Sequence, residues 1–117
     1  MVEKIKIIIV FSDKKMFKIT ARFHSFTSAL FVPGTSEKYF TKCISVSPSV
    51  YIPDMEDSVP LSGKIKARSL IADKISFIKR GNPKGQIFVR PNGLKTNLFY
   101  DDIDGVLNSE NADLIDG

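Results

Sequence analysis

The stretch Lys64-Ile65-Lys66-Ala67-Arg68-Ser69-Leu70-Ile71, continued by residues 73–79, carries most of the decision about the fold. Read with a period of two, it sets Ile65, Ala67, Ser69 and Ile71 on one face and Lys64, Lys66, Arg68 and Leu70 on the other. That alternation is the pattern of a half-buried β-strand. Residues 73–79 read as a second strand, with Ile75 and Phe77 opposing Ser76 and Ile78. The segment Lys79-Arg80-Gly81-Asn82-Pro83-Lys84-Gly85 then reads as a basic hairpin tip, and residues 86–90 as the returning strand.

The flanking sequence extends the same picture. Residues 3–11 and 16–24 alternate around the turn residues Ser12-Asp13-Lys14-Lys15 and predict a hairpin. Residues 25–36 form a loop holding Pro33-Gly34, a pair suited to a type II turn, with a short irregular strand at 29–32. Residues 39–46 regain strand character, Ser47-Pro48-Ser49 interrupts it, and 50–52 continue as an edge strand. Residues 53–63 hold two prolines, a glycine and the acids Asp54, Glu56 and Asp57, which reads as a solvated loop. Pro91-Asn92-Gly93 turns the chain into a last strand at 94–100, and faint helical periodicity marks 103–107. About seven short strands between turn signals predict a mainly β fold. Within that class a small antiparallel barrel or sandwich is expected, an OB-like barrel being favoured.

Charge divides the chain. Of its 117 residues, 17 are Lys or Arg and 13 Asp or Glu, a formal charge of +4. Residues 101–117 hold six acids and no base, so residues 1–100 hold 17 bases against seven acids, or +10. The domain reading follows as a basic β domain at 1–100 and an acidic C-terminal tail at 101–117. A body this basic attracts polyanions, and an acidic tail can compete for the same surface or recruit a protein partner. The plainer alternative is that the tail serves solubility.

Composition also excludes much. A single cysteine, Cys43, rules out an internal disulfide and fits a reducing compartment. One histidine, His24, and one cysteine are too few for a zinc site. No glycine-rich nucleotide fingerprint appears, and the Asp54, Glu56, Asp57 group lacks the spacing of a calcium loop. The longest apolar run is five residues, far below the roughly 20 that cross a bilayer. No secretory signal is read at the start. The expectation is therefore a cytoplasmic protein with no catalytic residues, no metal, no cofactor and no membrane association.

Binding remains. Lys64, Lys66 and Arg68 would share one strand face about 7 Å apart, near phosphate spacing along a single strand, with Lys79, Arg80 and Lys84 at the hairpin tip. Tyr39 and Tyr51 would offer stacking faces. A basic body followed by an acidic tail is similar to phage and bacterial single-strand-binding proteins, although this tail ends in Leu114-Ile115-Asp116-Gly117 without their terminal aromatic. Residues 59–89 also resemble the third, β-barrel domain of elongation factor Tu, without its Gly-Tyr-Arg-Pro segment. The functional expectation is a non-catalytic barrel binding single-stranded DNA or RNA with little sequence specificity. The alternative is a protein-interaction or assembly module, such as a small phage or mobile-element component, docking through the tail and its β edges, with homo-oligomers allowed.

Overall fold

The computed structural model describes residues 26–117. The hairpin expected at 3–11 and 16–24, with His24, lies outside the described residues. Within them strands and helices alternate: β1 (Ala29–Pro33), α1 (Glu37–Val46), β2 (Val50–Asp54), α2 (Lys64–Gly81), β3 (Gln86–Ile87) and α3 (Phe99–Val106). Short 3₁₀ turns occupy Leu61–Gly63 and Ala112–Leu114. The strands form an open, all-parallel sheet in the order β1-β2-β3, with Ala29 opposite Val50 and Val50 opposite Gln86. An isolated bridge between Asp54 and Arg90 prolongs the second pairing.

The expected antiparallel barrel is thus overturned: the fold is α/β. The cause lies in the stretch that decided the reading. Its buried residues are Lys64, Ala67, Ile71, Ile75 and Ile78, in steps of three and four, which is the stripe of a helix. Ala67 and Ile71 satisfy both periods, so they could not discriminate. Ile65 and Ile78 do. Ile65, placed inward by the strand reading, is 76% exposed, whereas Ile78, placed outward, is buried. Parallel neighbours cannot be joined by a tight turn, so α1 and α2 act as the crossovers between successive strands.

The 39–46 stretch is likewise a helix. Ser36 caps α1 by accepting the Tyr39 N–H, Glu37 lies favourably in the first turn, and Ser47 ends the helix at φ 48°. Phe40 and Cys43 form its buried side. Strand β2 is central rather than an edge, and Pro53, its penultimate residue, still accepts the Arg90 N–H at 2.9 Å. The 94–100 segment is turn and helix start, and α3 runs across residue 100. Beyond α3 the chain remains attached to the rest: Leu114 and Ile115 pack on the core, and Asp116 and Gly117 donate their N–H groups to Ile87 O.

Pro33-Gly34 does not form a type II turn, since no described glycine has positive φ. Glycine is required there by proximity. Its N–H donates to Asp54 O at 2.9 Å, and a Cβ at this position would lie 2.7 Å from the same oxygen. The ends of β1 and β2 can approach only because residue 34 has no side chain.

Helix and strand readings of residues 64–79 differ in measurable cost. Ile71→Ala should destabilise by about 2–5 kcal/mol, as a buried aliphatic truncation does. Ile65→Ala should change stability by less than about 0.5 kcal/mol. Urea unfolding of both variants checks this, and similar large losses at both positions would restore the strand.

Candidate active site

In parallel α/β sheets, ligands gather beyond the carboxyl ends of the strands, where loops converge and backbone groups are still free. Here that end is formed by Pro33-Gly34 after β1, residues 54–58 closing β2, and residues 88–92 after β3. Three carboxylates and one guanidinium meet there.

Asp54, the last residue of β2, is 2% exposed. Its Oδ1 accepts the Glu56 N–H at 2.9 Å, and its Oδ2 accepts the Ser58 N–H at 3.2 Å and the Ser58 hydroxyl at 2.7 Å. The buried charge is spread over three donors and folds the following loop around itself. Lys64 tightens the same loop from α2, its Nζ donating to Met55 O at 2.6 Å and to Glu56 O at 2.8 Å. Glu56 and Asp57 are thereby presented to Arg90.

Arg90 arrives from the β3 side, fixed by its backbone bond to Pro53. Its Nη2 donates to Glu56 Oε1 and to Asp57 Oδ2, each at 2.5 Å, and its Nε lies 3.8 Å from Asp54 Oδ1. The guanidinium also lies over the Phe31 ring, 5.6 Å from its centroid. Burial works against its charge, but the hydrogen bonds to Glu56 and Asp57 and the nearby Asp54 outweigh that and raise its pKa. The result is a permanently charged planar fork, one-third exposed, at the end of a rigid sheet.

A second network holds the turn that carries Arg90. Asp102 on α3, wholly buried, accepts the Asn92 N–H at 2.8 Å and Asn92 Nδ2 at 2.7 Å through Oδ2. Its Oδ1 accepts Arg68 Nε of α2 at 2.8 Å, while Arg68 Nη2 is buried without a hydrogen-bond partner. Asn92 follows Arg90 by two residues, so α2 and α3 together set the position of the arginine.

The residues expected to bind nucleic acid do not assemble. Lys64 is buried against the 55–56 carbonyls, Arg68 is paired with Asp102, and Lys66 projects from a different side of α2. Lys79 Nζ is held by Gly85 O at 2.9 Å and by Asp116 Oδ2 at 3.0 Å, while Arg80 and Lys84 are exposed. Tyr51 is fully buried with its hydroxyl bonded to Asn82, so no base can stack on it. Tyr39 is exposed, beside an apolar hollow between β1 and α1. Cys43 forms part of the same hollow, and burial pushes its thiol pKa up. The cation face required by the strand reading is therefore absent.

Reading by sequence missed Arg90, Asn92 and Asp102 and took Asp54, Glu56 and Asp57 as a solvated loop. The available signal was positional: an Asp-x-Glu-Asp run directly after the apolar stretch 50–53, and an Arg directly after 87–89. Among the described residues no three His, Cys, Asp or Glu side chains are placed to hold a metal ion. No described helix is long and apolar enough to cross a membrane.

An open parallel sheet with helical crossovers between its strands belongs to the α/β class. The chain's family is narrower than that class. Residues 27–115 match the HpcH/HpaI aldolase/citrate lyase family, and the chain belongs to it. Over 92 residues, 79% of this chain, it is 33% identical to a (3S)-malyl-CoA thioesterase of Cereibacter sphaeroides (strain ATCC 17025 / ATH 2.4.3). A (3S)-malyl-CoA thioesterase from strain ATCC 17029 / ATH 2.4.9 of that species is 32% identical over 81 residues, 69% of this chain. The chain spans about a third of the length of these curated relatives, 31% and 28% respectively. These relationships point to an enzyme, and they overturn the expectations of a non-catalytic protein and of a single-stranded nucleic-acid partner.

The Asp102 network has a direct test. Asp102→Ala removes three hydrogen bonds and leaves the largely covered Arg68 side chain, 14% exposed, without its counter-charge, which should cost about 3 kcal/mol in urea unfolding. Asn92→Ala, which keeps the ion pair, should cost about 1–3 kcal/mol. Equal, small losses at both would show that the network does not hold the turn.

Proposed function

We propose that this chain contributes the acid-recognising part of an enzyme that acts on a CoA thioester of a hydroxy acid, with Arg90 as the seat for the acyl group's free carboxylate. The observation that carries this reading is the placement of Arg90: a planar, charged donor fork at the carboxyl end of the sheet, fixed from two sides and facing three carboxylates. The malyl-CoA thioesterases among its relatives act, by their names, on a thioester of a dicarboxylic acid. Such an acyl group ends in a carboxylate, the partner whose geometry a guanidinium matches bidentately.

Thioester hydrolysis adds water to the carbonyl carbon and expels the thiolate of CoA. Arg90 would contribute to this by orientation: anchoring the far carboxylate fixes the acyl chain and limits the positions of the reactive carbonyl. Phe31, lying against the guanidinium, keeps water from one of its faces and strengthens the contact with an anion.

Calorimetric titration of the full chain with (3S)-malyl-CoA and with CoA alone tests the reading. Arg90→Ala should weaken malyl-CoA binding at least tenfold, the scale of a lost charge-assisted pair, and leave CoA binding unchanged. Equal affinity of the parent and Arg90→Ala for malyl-CoA would remove Arg90 from the site.

A further inference from the structure

We propose that Asp57 is a built-in competitor for the Arg90 seat, filling it with its own carboxylate until a ligand's acid group displaces it. The proposal deepens the carboxylate reading of Arg90 and rests on it. Glu56 and Asp57 share one nitrogen of the guanidinium, Nη2, each at 2.5 Å. They are not equivalent partners. The Glu56 side chain is 36% exposed, and its backbone is pinned by Asp54 at the N–H and by Lys64 at the carbonyl. The Asp57 side chain is 79% exposed.

An ion pair that open to water is worth about 1 kcal/mol or less, so Asp57 can leave by side-chain rotation while the loop backbone stays in place. An arriving carboxylate takes over the vacated Nη2 donor. It also meets a net charge of −2 from Arg90 with Asp54, Glu56 and Asp57, still −1 with the Lys64 ammonium behind the loop, and therefore starts at a disadvantage. A small free anion has nothing else with which to offset that disadvantage. An acid tethered to a larger thioester does, because contacts elsewhere raise its effective concentration at the seat. Asp57 thus sets a threshold that favours tethered acids over free ones.

Both effects of Asp57 act in the same direction. Removing its charge frees the donor and reduces repulsion, so an anion held by Arg90 must bind more tightly to Asp57→Asn, whereas a cation attracted by the cluster would bind less tightly. The experiment titrates the full chain with L-malate and with (3S)-malyl-CoA in the parent, Asp57→Asn, Asp57→Ala, Arg90→Ala and the Asp57→Asn/Arg90→Ala double variant. Both Asp57 variants should gain roughly two- to fivefold in affinity, the range set by an exposed ion pair, and the gain should vanish once Arg90 is removed. Unchanged or weakened binding in the Asp57 variants, with binding still lost in Arg90→Ala, would overturn the competitor and leave the seat standing. Arg90→Ala binding malyl-CoA as the parent does would overturn the seat, and the competitor with it.

Discussion

Asp54 sits at the end of the middle strand, 2% exposed, with its negative charge directed into its own loop. A carboxylate buried this deeply persists only when its oxygens are satisfied. The donors it uses, from Glu56 and Ser58, belong to the chain that follows, so satisfying the charge also shapes the loop. Lys64 closes the arrangement from α2, a buried ammonium whose N–H groups are satisfied by main-chain carbonyls rather than by a carboxylate. The position of Glu56 and Asp57 opposite Arg90 is a consequence of these two buried charges. The close approach of β1, which only glycine at position 34 permits, brings Phe31 to the same guanidinium.

The sheet behind this end could be read only in part from the sequence. The extended segments at 29–32, 50–52 and 86–90 fall on or around the real strands, since β-branched and aromatic residues cluster there and Gly or Pro bounds them. Their parallel pairing was not legible, because pairing direction depends on what connects the strands, and both crossovers were taken for strands. In α2 the residues shared by the two periods, Ala67 and Ile71, concealed the helix, and alternating lysines imitated a polar strand face. A count of buried positions in steps of three and four through Ile75 and Ile78 separates the two. In α1, strand-like Phe40, Ile44 and Val46 set the reading, whereas the cap at Ser36 with Glu37 in the first turn marks the helix.

The candidate site was less legible than the fold. Lysines stand out in a sequence, yet two of the four singled out here hold loops or termini in place: Lys64 binds carbonyls and Lys79 joins Gly85 to Asp116. Among the described residues, the cations singled out for nucleic acid therefore do not share one binding face. Arg90 was overlooked because its local mark, a place directly after residues 87–89, carries meaning only in a parallel sheet. Its significance arises from the parallel register that places it beside Asp54 and from the α3 carboxylate that holds Asn92. Acidic residues 101–117 looked like a tail because their charge is uniform, but Asp102 is buried in that network and Asp116 pairs with Lys79. Membership in the aldolase/citrate lyase family fits this geometry, in which the chemistry-bearing groups lie beyond strand ends rather than along a strand face.

The most direct test of the account is hydrogen–deuterium exchange of the full chain with and without (3S)-malyl-CoA. Peptides covering residues 54–58 and 88–92 should become protected together, since the ligand's acid group engages the one guanidinium that both loops share. Protection confined to the exposed cations Lys66, Arg80 and Lys84, or absent from both loops while binding is saturated, would contradict it.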